Sequence, residues 1–236
     1  MAVVKFQFPS RGFCVVATKV AEANYFLHKL RGSKGYNDEF NYHLSAFASA
    51  ARSITFSMQC VMSKYPGFDE WYVTHQEHLR SNCLAKYFVN LRNYMQKVGD
   101  VPVEHTGTMA GGEFKQFSFF VDTEGLEGAP DGEVTGLAEE YFVAVLKVVE
   151  ECYRDFSVFV DPRVLFTEEG LERIGWVIED IEEAVGLPRG WTDVPYEGGD
   201  KNHQRLRILA RNYQGDEMLE KYFKEFGLIS PDSDRS

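Results

Sequence analysis

The residues with the clearest chemical potential lie at the end of one apolar-striped segment, Leu91-Arg92-Asn93-Tyr94-Met95-Gln96-Lys97. Arg92 follows Phe88 by four residues and Leu84 by eight, which extends the apolar ridge of a helix to a position where an unpaired cation is costly. It needs an anion. Two sources are open. One is an internal carboxylate such as Glu70 or Glu77; the other is a ligand held by Arg92, Asn93 and Lys97, with Lys86 and Arg80 further up the same segment. A guanidinium fork and an ammonium point charge are the side chains that hold phosphate and carboxylate groups. Ser45, Arg52 and Gln59, seven apart, form a polar line beside a second apolar stripe. That line is either a solvated face or, in a bundle that pairs with its own copy, part of a shared cleft.

Other candidates are weaker. His105 follows Lys97 by eight residues in a Glu-His-Thr-Gly loop and is a spare imidazole, although loop histidines are mostly surface residues. His75 and His78 lie on one helical face without a third ligand type nearby, which favours a surface pair over a metal site. Arg205, Arg207 and Arg211 form the basic cluster of an otherwise acidic half; pairing with the Glu-rich segment 168–183 is the simpler expectation, and a partner or nucleic-acid contact the other. Trp176 and Trp191 are expected to anchor that half onto the bundle rather than to stack on bases.

Charge narrows the classes. The 236 residues carry 25 Lys and Arg against 36 Asp and Glu, a net of −11. Residues 1–110 hold 12 basic and 8 acidic side chains, so the remainder is strongly acidic. Such a chain repels nucleic-acid phosphates at long range, yet a local basic site stays permitted. The 44% hydrophobic and 14% aromatic content exclude a disordered, collagenous or coiled-coil chain. No apolar run reaches the roughly 20 residues needed to cross a bilayer, and the break at Phe8-Pro9-Ser10-Arg11 is unlike a leader, so a soluble cytoplasmic protein is expected. Cys14, Cys60, Cys83 and Cys152 are too scattered for zinc or a disulfide framework and are expected as reduced core thiols. No Walker loop, dinucleotide-binding turn or His-Glu-x-x-His is present, and no metal or cofactor is expected.

The elements that must position these residues are mostly helices. Periodicity predicts helices over 12–30, 38–64, from 68–74 to about 97, 134–156, 167–185 and 202–226. In the second, Phe40, Leu44, Phe47, Ala51, Ile54, Met58 and Val61 recur at steps of three and four, beside small residues that let a neighbouring helix approach. Gly215 weakens the last helix, and 231–236 reads as a frayed tail. Aromatic and β-branched residues between turn signals over 111–121 predict one strand or hairpin arm. The expected architecture is mainly α: an antiparallel helical bundle over 1–160 with one short β element, and an acidic helical extension over 161–236.

The Arg92-Asn93 segment ending in Lys97, together with the Phe40-to-Met62 helix and the Gly67-Phe68-Asp69-Glu70-Trp71-Tyr72 turn, resembles the HEPN superfamily over roughly 12–156. The resemblance implies a homodimer that brings two Arg motifs together and, in active members, a metal-independent endoribonuclease of a toxin or defence setting. The family has His where this chain has Lys97. A neutral imidazole gives and takes protons near pH 7, whereas an ammonium holds its proton and serves as a phosphate clamp or general acid. The expectation is therefore RNA binding or cleavage with catalysis weakened, the catalytic set being Arg92, Asn93 and Lys97 and the RNA-binding set Arg52, Arg80 and Lys86. The alternative is an inactive interaction subunit whose acidic half binds a basic protein.

Overall fold

A computed structural model of the protein describes residues 11–33, 38–111, 113–211 and 217–229. The Phe8-Pro9-Ser10 break, Lys34-Gly35, Gly215 and the tail lie outside the described residues. The chain is mainly α, as the periodicity predicts, with one two-stranded antiparallel sheet. It divides into two units, one of residues 16–149 and one of residues 1–15 with 150–236.

The first unit is built on α1 (Arg11–Gly32) from Val16 onward, α2 (Asp38–Met62), α3 (Phe68–Ser81), α4 (Cys83–Val98), the hairpin β1 (Val103–Ala110) and β2 (Glu113–Phe120), and α5 (Val134–Asp155) as far as Val149. The apolar stripe of α2 is buried as its spacing requires, with Leu44, Phe47, Ala51, Ile54 and Met58 essentially inaccessible. An aromatic centre joins four elements: Phe88 of α4 stacks on Tyr141 of α5 with ring centroids 4.6 Å apart, and meets Phe47 of α2 and Phe120 of β2 edge-on at 6.0 and 5.7 Å. Such offset and edge-on pairs add about 0.5–1.5 kcal/mol each beyond the area they bury.

One long helix over about 68–97 is not formed. Asn82 adopts an extended backbone with φ −76° and ψ 114°, and its Oδ1 accepts from the Ala85 amide at 2.9 Å, so it ends α3 and caps α4. The apolar rhythm of the sequence continues across this break, which hides it from a periodicity argument.

The hairpin also departs from expectation. Residues 103–110, read as loop, form β1 and pair in register with β2 from Val103 opposite Phe120 to Ala110 opposite Glu113. His105 is therefore a strand residue. Its ring meets Phe40 edge-on at 5.1 Å and its Nδ1 lies 2.8 Å from the Ser118 hydroxyl, so it ties both strands to α2, and burial lowers its pKa.

In the second unit the expected helix 167–185 is α8 (Glu168–Ile174) and α9 (Ile178–Ala184), following the short α6 (Ser157–Val160) and α7 (Pro162–Leu165). Gly175, at φ 68°, ends α8 in the left-handed conformation that favours glycine. The expected helix 202–226 is α10 (Lys201–Ala210) and α11 (Glu217–Glu225). Val158, Leu165, Leu171, Ile181, Leu206 and Leu209 form the core of this unit, with Trp176 packed against it. Trp191 is 63% exposed and is not part of this core.

Arg205 is the polar centre of the second unit. It is 6% exposed and donates to Glu179 at 2.6 Å, to Glu182 at 3.2 Å and to the Thr192 hydroxyl at 3.0 Å. Glu182, fully buried, also accepts from the Thr192 amide at 2.7 Å, the Thr192 hydroxyl and the Gly190 amide. Burial alone would raise the Glu182 pKa, but these donors hold it below the usual value. Of the four cysteines only Cys152 is buried; Cys14, Cys60 and Cys83 are exposed, which corrects the reading of all four as core thiols.

Candidate anion-binding site

Four helices of the first unit, α2, α3, α4 and α5, line a cavity of about 390 Å³. Its charged residues are Arg52, Arg80 and Lys86, and no carboxylate lines it. Among the described residues none of the three makes an ion pair. In a chain with eleven more acids than bases, three cations gathered without a counter-charge are the opposite of what surface pairing would produce.

Each cation is placed by its element. Arg52 Nη1 donates to the Thr55 hydroxyl one turn on at 2.8 Å, and its guanidinium lies 4.1 Å from the Phe56 ring centroid. The Tyr72 hydroxyl donates to the Thr55 carbonyl at 3.4 Å, which fastens α3 to α2 at this wall. Arg80 and Lys86 depend on the break at Asn82. Six residues apart on one continuous helix, they would point about 120° apart at about 100° per residue. Ending α3 and restarting α4 lets both line the same cavity.

Tyr141 completes the polar lining from α5. It is 3% exposed, and its ring stacks on Phe88. Burial raises its pKa to about 12, with the Arg52 charge pulling the other way, so the phenol keeps its proton near neutral pH. Gln76 and Asn90 add amides, while Leu79, Ala85, Val89 and Val145 form an apolar wall. The arrangement can seat a group rich in acceptor oxygens and negative charge, with an apolar part beside it.

The structure thus brings Arg52, Arg80 and Lys86 together and leaves Arg92, Asn93 and Lys97 outside the cavity lining. On α4, Lys86, Asn90, Asn93 and Lys97 fall within an arc of about 60°, so Asn93 and Lys97 continue the face that opens at the cavity. All four are exposed. Arg92 lies about 120° from Lys86 on the same helix. It is half-buried, pairs with neither Glu70 nor Glu77 among the described residues, and donates to Asn93 Oδ1 at 3.2 Å, while its Nε is buried without a partner.

Two further sequence candidates, His75 and Arg205, take other roles. His75 stacks on Trp71 at 3.7 Å and places Nδ1 2.7 Å from the Trp71 carbonyl oxygen. Arg205 takes the intramolecular pairing described above, whereas Arg207 and Arg211 are exposed. Tyr141, Thr55 and Asn90 carried no sequence signal for a site: the first two share the period of buried helix faces, and Asn90 is recognisable only from its position one turn after Lys86.

Among families of known proteins, the model described as bacteriophage lambda protein ea47 matches residues 13–109, somewhat less than half of the chain. No curated protein and no solved structure matches. The match covers the helices on which the HEPN resemblance rested, and it is to a different family. The HEPN assignment is therefore withdrawn. Its basis was a helix-ending Arg-Asn pair and a small-residue helix face, features that any helix-packed chain produces from the same spacing rules. No helix among the described residues is long and apolar enough to cross a membrane.

Proposed function

We propose that this protein binds RNA by seating a phosphate in the cavity of the first unit, and that it binds without cleaving. The observation that carries this reading is the convergence of Arg52, Arg80 and Lys86 on one cavity with no lining carboxylate. Cations on separate helices are held together against their mutual repulsion, and an anion relieves that repulsion. The polar face running from Lys86 through Asn93 to Lys97 suits a strand that continues from a phosphate so held. Binding without cleavage follows from the lining. Attack of a ribose hydroxyl on a phosphate needs a group that accepts a proton near neutral pH. The lining offers no histidine, carboxylate or thiol, and Tyr141 keeps its proton to about pH 12.

The test is fluorescence anisotropy with a labelled single-stranded RNA of about ten nucleotides, using wild type and the Arg52→Ala/Lys86→Ala double variant, with a denaturing gel of the same mixtures. Wild type should bind and leave the RNA intact, and the variant should lose at least tenfold in affinity with an unchanged circular dichroism spectrum. Absence of wild-type binding would overturn the reading and favour the interaction-subunit alternative. Cleavage abolished by Lys97→Ala would overturn its second half.

A further inference from the structure

Resting on that reading, we infer that the cavity holds the terminal nucleotide of the strand and recognises its phosphomonoester, so that the protein is an RNA-end binder rather than a coat along the chain. Four features of the site lead there.

The first is capacity. A cavity of about 390 Å³ is at the small end of ligand pockets, which run to about 300–1,000 Å³, and matches one nucleotide rather than several. Proteins that track a strand internally use long grooves serving about 4–16 nucleotides. The second is charge. An internal diester carries one negative charge, whereas a terminal monoester carries about −1.5 to −2 near neutral pH. Three lining cations without a carboxylate answer the larger charge.

The third feature is Tyr141. Its side chain is 3% exposed, and it lines the cavity. A phenol hydroxyl at the cavity wall is a donor for which a phosphate oxygen is an acceptor. The Arg52 charge acts on this same phenol, and both residues line the cavity. A monoester has three non-bridging oxygens to share among Tyr141, Arg52 and the outer cations, and a diester has two.

The fourth is direction. The polar face of α4 leaves the cavity at Asn90 and runs through Asn93 to Lys97, a length of about 10 Å at 1.5 Å per residue. That is one path away from the cavity, as a strand with its end inside requires. The apolar wall of Leu79, Val89 and Val145 is then available to the sugar and base of the seated nucleotide.

The experiment compares RNAs of one sequence that carry a 5′-phosphate, a 3′-phosphate, or hydroxyls at both ends, with adenosine monophosphate as competitor, against wild type and Tyr141→Phe. The substitution removes a single hydroxyl and leaves the ring on Phe88. A phosphorylated end should bind at least tenfold tighter than hydroxyl ends, the better of the two ends naming the polarity. Tyr141→Phe should erase most of that preference. Competition by the free mononucleotide further supports seating of a single nucleotide. Equal binding of all three RNAs would overturn the end-recognition inference and leave RNA binding standing. Failure of every RNA to bind would overturn both.

Discussion

Arg52 Nη1 donates to the hydroxyl of Thr55 at 2.8 Å, and that neutral oxygen is its hydrogen-bond partner inside the cavity. A hydroxyl fixes the direction of a guanidinium without neutralising it. The cation is thereby aimed and left with its charge available, which is the arrangement of a binding group rather than of a structural ion pair.

Arg52→Ala should therefore separate binding from stability. No carboxylate is left unpaired by the change, and the lost contact with Phe56 is of the cation–aromatic type, about 0.5–1 kcal/mol at an accessible site. Urea denaturation should show a loss no larger than that, whereas RNA affinity should fall at least tenfold. A loss of several kcal/mol in stability would mean that Arg52 is structural.

Salt dependence gives an independent count of the cations. If Arg52, Arg80 and Lys86 each neutralise one phosphate charge, the slope of log affinity against log salt should be near −2, from about 0.7 per contact on single strands. Lys86→Ala should make the slope shallower by about 0.7. A slope unchanged by that substitution would place the RNA elsewhere.

In the second unit, Glu182→Gln should be strongly destabilising. The carboxylate serves Arg205, both donors of Thr192 and the Gly190 amide. Removing one partner of a buried pair costs about 3–5 kcal/mol. The folded pKa of Glu182 lies below its unfolded value, so its contribution is present above about pH 4.3 and is lost as pH falls through the folded value. Acid titration of stability should accordingly be steeper in wild type than in Glu182→Gln over that range. Equal slopes would show that Glu182 does not titrate with unfolding.

Gly170→Ala tests packing alone. A methyl there would stand 2.0 Å from the Val164 carbonyl oxygen and 2.9 Å from that of Leu165, both backbone atoms that cannot swing aside. Overpacking of this kind costs about 1–3 kcal/mol, and the upper end is expected in a thermal melt. A neutral result would mean that the turn before α8 relaxes freely.

The sequence by itself determined the helical class and several helices almost to the residue. Helix α2 is the clearest case, because apolar residues at steps of three and four leave one low-energy way to bury them. It also offered Arg80 and Lys86, on the segment leading to Arg92, and Arg52, on a polar line of the second helix, as candidates for anion binding. Their association it could not supply, since it placed Arg80 and Lys86 on one continuous helix. Only the tertiary structure decided that Asn82 breaks that helix, and a cap that satisfies a single backbone amide leaves no mark on hydrophobic periodicity. The hairpin was half legible for a related reason: β2 carries an aromatic run, whereas β1, with Gly107 between Thr106 and Thr108, becomes a strand through pairing with a distant segment. Tyr141 is the limiting example. Its spacing marks a core residue of α5, and core it is, yet its hydroxyl gains chemical meaning from the cavity that three other helices close around it.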